Sequence, residues 1–470
     1  MISLRPYQTK LIDEIRAKFR AGIARLILQL ATGGGKTVIF THMVKTASER
    51  GNRCLILTDR VELLEQAGGT FDRVGLAYEN ITASTRSVPR SRVTVAMVET
   101  MKRRMKQRLD FQIYLKQVQL LIIDEAHKAS FDPIFPYLSE SCYVIGATAT
   151  PIRQNAKKPL SDYFSAIVEG PSISELIREG YLSKPKYFGV TVDLSTIKMK
   201  AGEFDERDQE RVFSEIRVFE GLRENLERHA RGLKTMIFCP SVASSEQVAR
   251  DLGCLHVDGG MSAGERDRIL TAFETTPGAI LTNCAITTTG YDHPGIECIV
   301  LYRATTSLPL YLQMIGRGSR VTETKRTFTI LDFGMNVQRF GYWHIDRIWS
   351  LNPPKKKNRN KQDVFPVKFC PSCGAVVSVN VKTCEYCGFI WPVTEKERVY
   401  AELQELSYSE IQRRMSEAKS VQEMEEIRVA KGYKVGYLLH KFTSEEQFKE
   451  YERLRGYKKG WAYIQAKNYL

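Results

Sequence analysis

The residues best suited to chemistry lie near the N-terminus in the glycine-rich segment ATGGGKT, which follows the apolar run LILQL. Glycine lets a backbone turn successive N–H groups toward one anion, and the positive end of a following helix adds to the attraction. Lys36 could then reach the β- and γ-phosphates of a nucleotide, and the Thr37 hydroxyl could ligate Mg²⁺. An ordinary turn between a strand and a helix is the alternative. The segment predicts a phosphate-binding loop formed by Thr32, Gly33, Gly34, Gly35, Lys36 and Thr37.

Two adjacent carboxylates, Asp124 and Glu125, follow four apolar residues in LLIIDEAH. Parallel sheets bind their ligands at the carboxyl ends of the strands, so this pair is expected to face the glycine-rich segment. Asp124 is suited to hold Mg²⁺ through water, and Glu125 to polarise a water that attacks the terminal phosphate. A helix cap is the alternative for the pair. His127 either couples this site to another domain or is a capped surface histidine.

Four of the ten cysteines form two C-x₂-C pairs separated by ten residues. Two such pairs can hold one tetrahedral Zn²⁺, and a glycine after each pair permits the tight turn. A redox pair would need a thioredoxin-like βαβ setting, which the surrounding sequence lacks. We therefore expect a closed structural Zn²⁺ site at Cys370, Cys373, Cys384 and Cys387. The other six cysteines are scattered and are interpreted as small buried hydrophobes.

Short β-branched runs alternate with longer amphipathic stretches up to about residue 340, a pattern typical of parallel sheets covered by helices. The nine runs are RLILQL, RCLILT, VTVAMV, LLIIDEAH, YVIGATAT, TMIFCP, AILTNC, CIVLYR and FTILDFG. A polar segment at about 190–220 separates two sets of them. We therefore predict an α/β fold with the following domains: a first lobe at 1–190, a second lobe at 191–350, a basic linker at 351–365, a zinc ribbon at 366–392 and a basic helical tail at 393–470.

Length and composition set the broad class of the protein. A chain of 470 residues with 43% hydrophobic residues is long enough for several globular domains. No apolar run approaches the roughly 20 residues that span a bilayer, and the N-terminus lacks the pattern of an export signal. The formal charge of +15 suggests a polyanionic partner, although solubility alone is the simpler explanation.

The order of the motifs resembles that of superfamily 2 helicases: RPYQ, then GGGKT, DEAH and GATATP. The resemblance implies two tandem RecA-like lobes and an ATP hydrolase that uses Mg²⁺. It also implies that Arg5 and Gln8 recognise adenine, and that Thr148 and Thr150 link hydrolysis to movement of the lobes. An ordinary helix start is the alternative for RPYQ.

The resemblance continues in the second lobe through TTTGYDHP and QMIGRGSR. It implies a loop that reads nucleic acid through Thr288 and Thr289 and nucleotide through Gly290 and Asp292. It places Gln313, Arg317 and Arg320 on one helix that faces the ATP, where Arg320 is our first choice for an arginine finger. A solvated helix face is the alternative, but the two glycines of QMIGRGSR weaken a helix.

Three segments are candidates for contact with nucleic acid. Arg60 follows RCLILTD, where the superfamily's first strand-binding motif belongs, and is a candidate phosphate contact. The basic run MKRRMKQR at 101–108 is more often a solvated face. Aromatic residues among Lys and Arg at the C-terminus could stack on bases or form the core of a helical cap.

The motifs and the cysteine pairs together resemble the RadD-like group of bacterial and phage helicases, over roughly residues 1–390. This resemblance implies a DNA helicase or translocase that acts on single-stranded, forked or branched DNA in recombination, repair or replication. It suggests a cytoplasmic location in a bacterial cell or phage-infected host, and a single-stranded-DNA-binding or recombination protein as partner. An RNA helicase and a slow ATP-gated recruitment factor are the alternatives.

Overall fold

The structure is a computed structural model that describes residues 4–59, 69–153, 158–189, 197–200, 202–284, 291, 293–352, 367–391, 420–430 and 435–469. The chain divides into two compact units, Met1–Phe389 and Ile390–Leu470. Among these described residues, no helix is long and apolar enough to cross a membrane.

The first lobe is built on a parallel sheet of seven strands in the order β3-β4-β2-β5-β6-β1-β7. The five strands between the two edge strands are almost wholly buried, as expected of apolar runs covered on both faces. The strands are β1 (Arg25–Gln29), β2 (Cys54–Thr58), β3 (Glu79–Ile81), β4 (Val93–Met97), β5 (Leu120–Asp124), β6 (Tyr143–Thr148) and β7 (Ala166–Glu169). Its helices are α1 (Pro6–Arg20), α2 (Lys36–Glu49), α3 (Val98–Gln107), α4 (Leu109–Lys116) and α5 (Ile173–Arg178), with 3₁₀ turns at Ala129–Tyr137 and Leu160–Asp162.

The second lobe has a parallel sheet of six strands in the order β12-β13-β11-β14-β15-β8, with a separate β9–β10 hairpin. Its strands are β8 (Lys184–Gly189), β9 (Met199–Lys200), β10 (Glu203–Phe204), β11 (Thr235–Phe238), β12 (Leu255–Val257), β13 (Ile280–Asn283), β14 (Cys298–Leu301) and β15 (Thr327–Asp332). Its helices are α6 (Glu206–Phe213), α7 (Ile216–Ala230), α8 (Val242–Leu252), α9 (Ala263–Thr275), α10 (Leu308–Gly316) and α11 (Asn336–Phe340).

The two sheets confirm the predicted fold class and all nine predicted strands. The predicted boundary at residue 190 is wrong, because β8 pairs in parallel with β15 of the second sheet, Lys184 opposite Thr327. This strand lies at the sheet edge and contains Pro185, which cannot donate to a ladder and is tolerated only at such an edge. The second lobe therefore begins before Lys184.

The cysteine module packs against the second lobe. It contains a small antiparallel hairpin of β16 (Val367–Phe369) and β17 (Val376–Ser378). The Gly189 backbone N–H, at the end of β8, donates to the Gly374 carbonyl at 3.0 Å. A Cβ at Gly189 would lie 2.5 Å from the ring of Phe369, so only glycine lets the module approach this closely.

The second unit forms a helical core of its own. Its described helices are α12 (Val421–Ala430), α13 (Val435–Leu439), α14 (Glu445–Arg455) and α15 (Trp461–Tyr469). Phe448 and Tyr451 are fully buried at its centre. The described part of the tail is therefore helical, as predicted, and its aromatic residues supply much of the apolar core. The predicted basic linker at 351–365 lies outside the described residues, apart from its first two.

Candidate nucleotide and zinc sites

The glycine-rich segment forms a turn between β1 and α2. Gly33 and Gly35 adopt left-handed φ values of 82° and 84°, a region that glycine enters without strain. Helix α2 begins at Lys36, so its free N–H groups and positive end face the turn. The Lys36 ammonium donates to the Leu30 carbonyl at 3.1 Å. The predicted residues therefore have the backbone geometry of a phosphate-binding loop.

Asp124 and Glu125 stand at the carboxyl end of β5, as predicted. Strand β6 pairs with both β5 and β1, which brings these carboxylates and the glycine-rich turn to one edge of the sheet. Glu125 has a φ of 52°, although it is not glycine. Such a conformation costs free energy and is concentrated at functional sites. The strained backbone marks Glu125 as a residue whose position matters.

The surroundings of the two carboxylates shift their pKa values in opposite directions, upward for Asp124 and downward for Glu125. Burial and the neighbouring Glu125 carboxylate raise the pKa of Asp124. Burial also acts to raise the pKa of Glu125, but the hydrogen bond from His127 and the charges of His127 and Lys36 outweigh it, so the net shift is downward. Burial lowers the pKa of Lys36, and the two carboxylates oppose that change. Glu125 is thus favoured as the charged base.

The donor set suits a hard cation. The Asp124 carboxylate and the Thr37 hydroxyl supply oxygen ligands, which Mg²⁺ prefers. Both residues flank the same turn, because Thr37 lies in the first turn of α2 and Asp124 ends β5. A cation there would also offset the unfavourable burial of two adjacent carboxylates.

His127 connects the carboxylates to the end of β6. Its Nδ1 lies 2.9 Å from the Thr148 hydroxyl and 3.3 Å from a Glu125 carboxylate oxygen. The Thr150 backbone N–H donates to the same Thr148 hydroxyl at 3.1 Å. The interpretation of His127 as a capped surface histidine does not fit these contacts. It lies between Glu125 and the segment predicted to transmit movement.

The N-terminal motif lies against the glycine-rich turn. The Gln8 side chain is buried, donates to the Gly34 carbonyl at 3.4 Å and accepts from the Arg5 backbone at 2.9 Å. Tyr7 donates to the same Gly34 carbonyl at 2.6 Å. Arg5 lies over the ring of Tyr181. Adenine recognition by Arg5 and Gln8 stays a prediction, but both residues lie beside the loop.

The arginines of the second lobe occupy a turn, which corrects the prediction that they share a helix. Helix α10 ends at Gly316, Arg317 caps it, and Arg320 forms a bridge with Leu182. A Cβ at Gly318 would lie 2.6 Å from the ring of Phe328, so the backbone turns where no other residue fits. Gln313 is buried on α10. We refer to residues 316–320 as the arginine turn.

The arginine turn packs directly on the glycine-rich turn of the first lobe. A Cβ at Gly33 would lie 2.9 Å from Leu182 and 3.3 Å from the Ser319 hydroxyl. The charges of Arg317 and Arg320 also act to lower the pKa of Lys36. The predicted arginines and the predicted phosphate loop therefore meet across the interface between the lobes.

Other predicted nucleic-acid residues are not placed by the structure. Arg60, Thr288, Thr289, Gly290 and Asp292 lie outside the described residues. The basic run at 101–108 forms most of α3, where Met101 and Met105 are buried. Lys102 bonds to Glu99 and Arg108 to Asp110, while Arg104 donates to the more distant Ala83 carbonyl. That run behaves largely as a helix face, as the simpler interpretation expected.

Two ion pairs beside the carboxylates were not predicted from the sequence. Lys128 pairs with Asp59, which follows β2 immediately before Arg60. Arg153 makes two bonds to Asp132, at 2.7 and 3.1 Å, and both side chains are buried. In the sequence, each pair could be anticipated only from a charged residue that stands next to a motif. Such residues are too common to predict a particular ion pair. The segment around the carboxylates is thus linked to β2 and to the end of β6.

The four cysteines converge as predicted. Their sulfur atoms all lie within 4.8 Å of one another, with Cys370 and Cys387 at 3.6 Å and Cys373 and Cys384 at 3.7 Å. Gly374 and Gly388 take left-handed φ values of 71° and 75° after the two pairs. Four converging thiols suit tetrahedral Zn²⁺ and leave no ligand position for water.

The C-terminal aromatics serve mainly as core. Tyr457 and Trp461 are partly buried, with ring centroids 4.5 Å apart, and Tyr469 packs beside Phe448. Tyr463 is exposed. The helical-cap interpretation therefore fits most of these residues.

Two protein families match the chain. The family described as type III restriction enzyme, res subunit, matches residues 1–153, and the helicase conserved C-terminal domain matches residues 217–322. The first match covers the glycine-rich turn and the carboxylates, and the second covers the arginine turn. Together with the two RecA-like lobes, they define the class of this protein: it is an ATP-hydrolysing enzyme of helicase superfamily 2.

Among curated proteins, similarity extends over most of the chain. A 51.5 kDa protein of a Lactococcus phage is 26% identical over 80% of this chain and 81% of its own length. The irc3 protein of Schizosaccharomyces pombe, which is named as a mitochondrial ATP-dependent helicase, is 31% identical over 76% of this chain. A type I restriction enzyme subunit of Escherichia coli, from EcoAI, is 27% identical over 77% of this chain. The chain spans only 61% of irc3 and 49% of the EcoAI subunit.

Solved structures agree on the fold. A fragment assigned as the HsdR subunit of a type I restriction enzyme from Vibrio vulnificus YJ016 has a TM-score of 0.58 and 25% identity, covering 72% of this chain and 67% of that one. The type ISP restriction-modification enzyme LlaBIII, solved bound to DNA, has a TM-score of 0.51 and 17% identity over 70% of this chain and 27% of that one.

Proposed function

We propose that this enzyme is a DNA helicase or translocase that couples ATP hydrolysis to movement on, or remodelling of, forked or branched DNA. The observation that carries the proposal is the contact between the arginine turn of the second lobe and the glycine-rich turn of the first. A nucleotide bound by one lobe and sensed by the other is the arrangement that can convert hydrolysis into relative movement of the lobes.

The proposed chemistry assigns one task to each group. Lys36 and the N–H groups of the glycine-rich turn hold the phosphates, and Gln8 with Arg5 lies toward the base. The pKa of Glu125 is held down, so its carboxylate is ionised at neutral pH and is available to orient the attacking water and to accept its proton as the new bond forms. Arg320, with Arg317, offsets the charge that develops on the transferred phosphoryl group. Mg²⁺ held by Thr37 and Asp124 supplies further charge neutralisation when bound.

Coupling follows from the contacts around Glu125. His127 contacts both Glu125 and Thr148. A shift of Glu125 when the terminal phosphate leaves would therefore displace His127 and, through it, the end of β6. Lys128 pairs with Asp59 beside the proposed strand contact Arg60. The nucleotide site is thereby connected to the segment that we propose grips one strand. Gln313, Gly290 and Asp292 would carry the same signal in the second lobe, and Thr288 and Thr289 would contact the nucleic acid.

DNA is favoured over RNA by the extent of similarity. Relatives named as restriction enzyme subunits match 77% and 70% of this chain. Relatives named as RNA helicases match only 23% and 21% of it. The formal charge of +15 suits either polyanion. A role in recombination, repair or replication, with a single-stranded-DNA-binding or recombination protein as partner, is part of this proposal.

Movement can be tested by displacement of a third strand from a DNA triplex. We expect ATP-dependent displacement whose delay increases with the distance between the loading site and the triplex, and none with Lys36→Ala. A fork with a labelled arm, run in parallel, tests remodelling. Hydrolysis without displacement on any of these substrates would contradict a translocase and favour the slow recruitment factor.

A further inference from the structure

Lys325, a residue outside the motifs, lies in the connection that follows the arginine turn and precedes β15 (Thr327–Asp332). Its side chain is buried, with 6% of its surface exposed. Its ammonium donates to three backbone carbonyls: Pro294 at 2.8 Å, Ile296 at 2.6 Å and Gly318 at 2.9 Å. A buried ammonium is costly unless all its donors are satisfied, and here the three donors meet three acceptors.

These acceptors belong to two functional segments. Gly318 lies inside the arginine turn, between Arg317 and Arg320. Pro294 and Ile296 follow the loop at 287–292, which is predicted to read nucleic acid. Arg317 reinforces the connection, because its guanidinium donates to the Tyr291 carbonyl at 2.6 Å. One buried cation therefore joins the arginine turn to the segment that follows that loop.

We propose that Lys325 is a positioning residue that holds the arginine turn at the ATP site by fixing it to the backbone at Pro294 and Ile296. The proposal rests on the role proposed above for Arg317 and Arg320. The Lys325 ammonium is engaged by backbone carbonyls, so the residue acts through the backbone of the two segments that it joins.

The surroundings of Lys325 agree with this role. Burial and the nearby charge of Arg320 lower the pKa of Lys325 to about 7, while the three carbonyl oxygens favour the ammonium form. A Cβ at Gly318 would also collide with Phe328 and Ile299, so the turn has little freedom to settle elsewhere. If the ammonium were removed, three carbonyls would lose their donor and the turn would have to rearrange.

Lys234, in the same lobe, provides a matched control. It is likewise buried, at 8% exposure, and donates to three carbonyls, those of Phe273, Glu274 and Thr276. These acceptors lie at the end of α9 (Ala263–Thr275), whereas those of Lys325 lie in the arginine turn and in the segment that follows the loop at 287–292. Loss of either lysine should cost similar stability, so a difference in catalysis isolates the positioning role.

The experiment compares Lys325→Met with Lys234→Met in the full chain, with kcat and KM for ATP measured without and with DNA. We expect kcat of Lys325→Met to fall about 10- to 100-fold, with KM for ATP nearly unchanged, because small misplacements of a catalytic group cost this much. Lys234→Met, at a comparable Tm, should retain its kcat. Equal kcat in the two variants would overturn the proposal.

If Lys325→Met does not fold, the pair Lys325→Arg and Lys234→Arg decides the question. A planar guanidinium keeps the charge but cannot direct three donors to three converging carbonyls. A lower kcat for Lys325→Arg at matched Tm would support positioning, and equal values would overturn it. The measurement without DNA tests Lys325 by itself, so wild-type protein that fails to respond to DNA would contradict only the proposed function.

Discussion

Gly316 of the second lobe packs against Thr32 of the first so tightly that a Cβ at position 316 would lie 2.8 Å from the Thr32 Cβ. Gly316 is the last residue of α10 (Leu308–Gly316), and its φ lies outside the left-handed region. Glycine is required there by the approach of the two lobes, not by its backbone conformation.

Gly316→Ala should therefore impair hydrolysis without unfolding the protein. The added methyl group forces the arginine turn away from the phosphate loop, and we expect kcat to fall about tenfold. The Tm should stay close to wild type, because alanine suits a helix. Steady-state ATP hydrolysis and thermal unfolding measure the two effects.

The double variant Thr32→Ser with Gly316→Ala is the control for that prediction. Removing the Thr32 methyl group relieves part of the collision, so the pair should recover part of the lost kcat. Strictly additive losses would argue that the two residues do not meet in the active state.

Glu125→Gln should abolish hydrolysis while preserving nucleotide binding. The amide cannot accept the proton of the attacking water, and removal of a general base typically costs about a hundredfold or more in kcat. ATP affinity, measured by isothermal titration, should change little. Near-normal turnover would show that another group activates the water.

His127→Ala separates catalysis of ATP hydrolysis from its coupling to nucleic acid. Its ring contacts Glu125 and Thr148, so we expect the stimulation of hydrolysis by DNA to decrease more than basal hydrolysis. Equal losses in both rates would assign His127 to catalysis alone.

The fold was largely predictable from the sequence, and the reasons lie in particular segments. Apolar β-branched runs such as CLILT and LLIID form buried central strands because both faces of a parallel sheet are covered. Strand β8 (Lys184–Gly189) was missed because an edge strand carries exposed lysines and a proline, which resemble a loop.

The site was predictable where a motif determines the local backbone conformation. It was less predictable where contacts between distant segments determine the structure. Gly33, Gly35 and Lys36 have the geometry that their types require. The arginines were placed on a helix because their spacing of three suits one, whereas the contacts of Gly316 and Gly318 end it. Lys325 was not predictable, since its acceptors are backbone carbonyls at distant positions and carry no sequence signal.

Arg153→Met should destabilise the first lobe strongly. The pair with Asp132 is buried, and removal of one partner leaves an uncompensated charge, at a cost of about 3–5 kcal/mol. Arg178→Met is the control, because its contact with Glu175 is exposed and 4.0 Å long, and should cost less than about 1 kcal/mol. Chemical denaturation compares the two. Equal costs would show that the buried pair does not support the lobe.

Metal removal should loosen the edge of the second lobe. Cys373→Ser is expected to lose bound zinc, while Cys254→Ser, outside the cluster, should keep it. Because the module bonds to Gly189 at the end of β8, hydrogen exchange of residues 184–189 should accelerate in Cys373→Ser. Zinc content by atomic absorption and exchange by mass spectrometry give the answer. Unchanged exchange in a zinc-free variant would contradict a supporting role.

The central claim is best tested by steady-state ATP hydrolysis with no polymer, single-stranded DNA, duplex DNA, a model fork and RNA, with Lys36→Ala as control. The account predicts hydrolysis that DNA stimulates, most strongly with a fork, that RNA stimulates little, and that Lys36→Ala abolishes. Preferential stimulation by RNA would show that the substrate is RNA and not DNA. A folded, zinc-loaded protein that no polymer stimulates would contradict the motor.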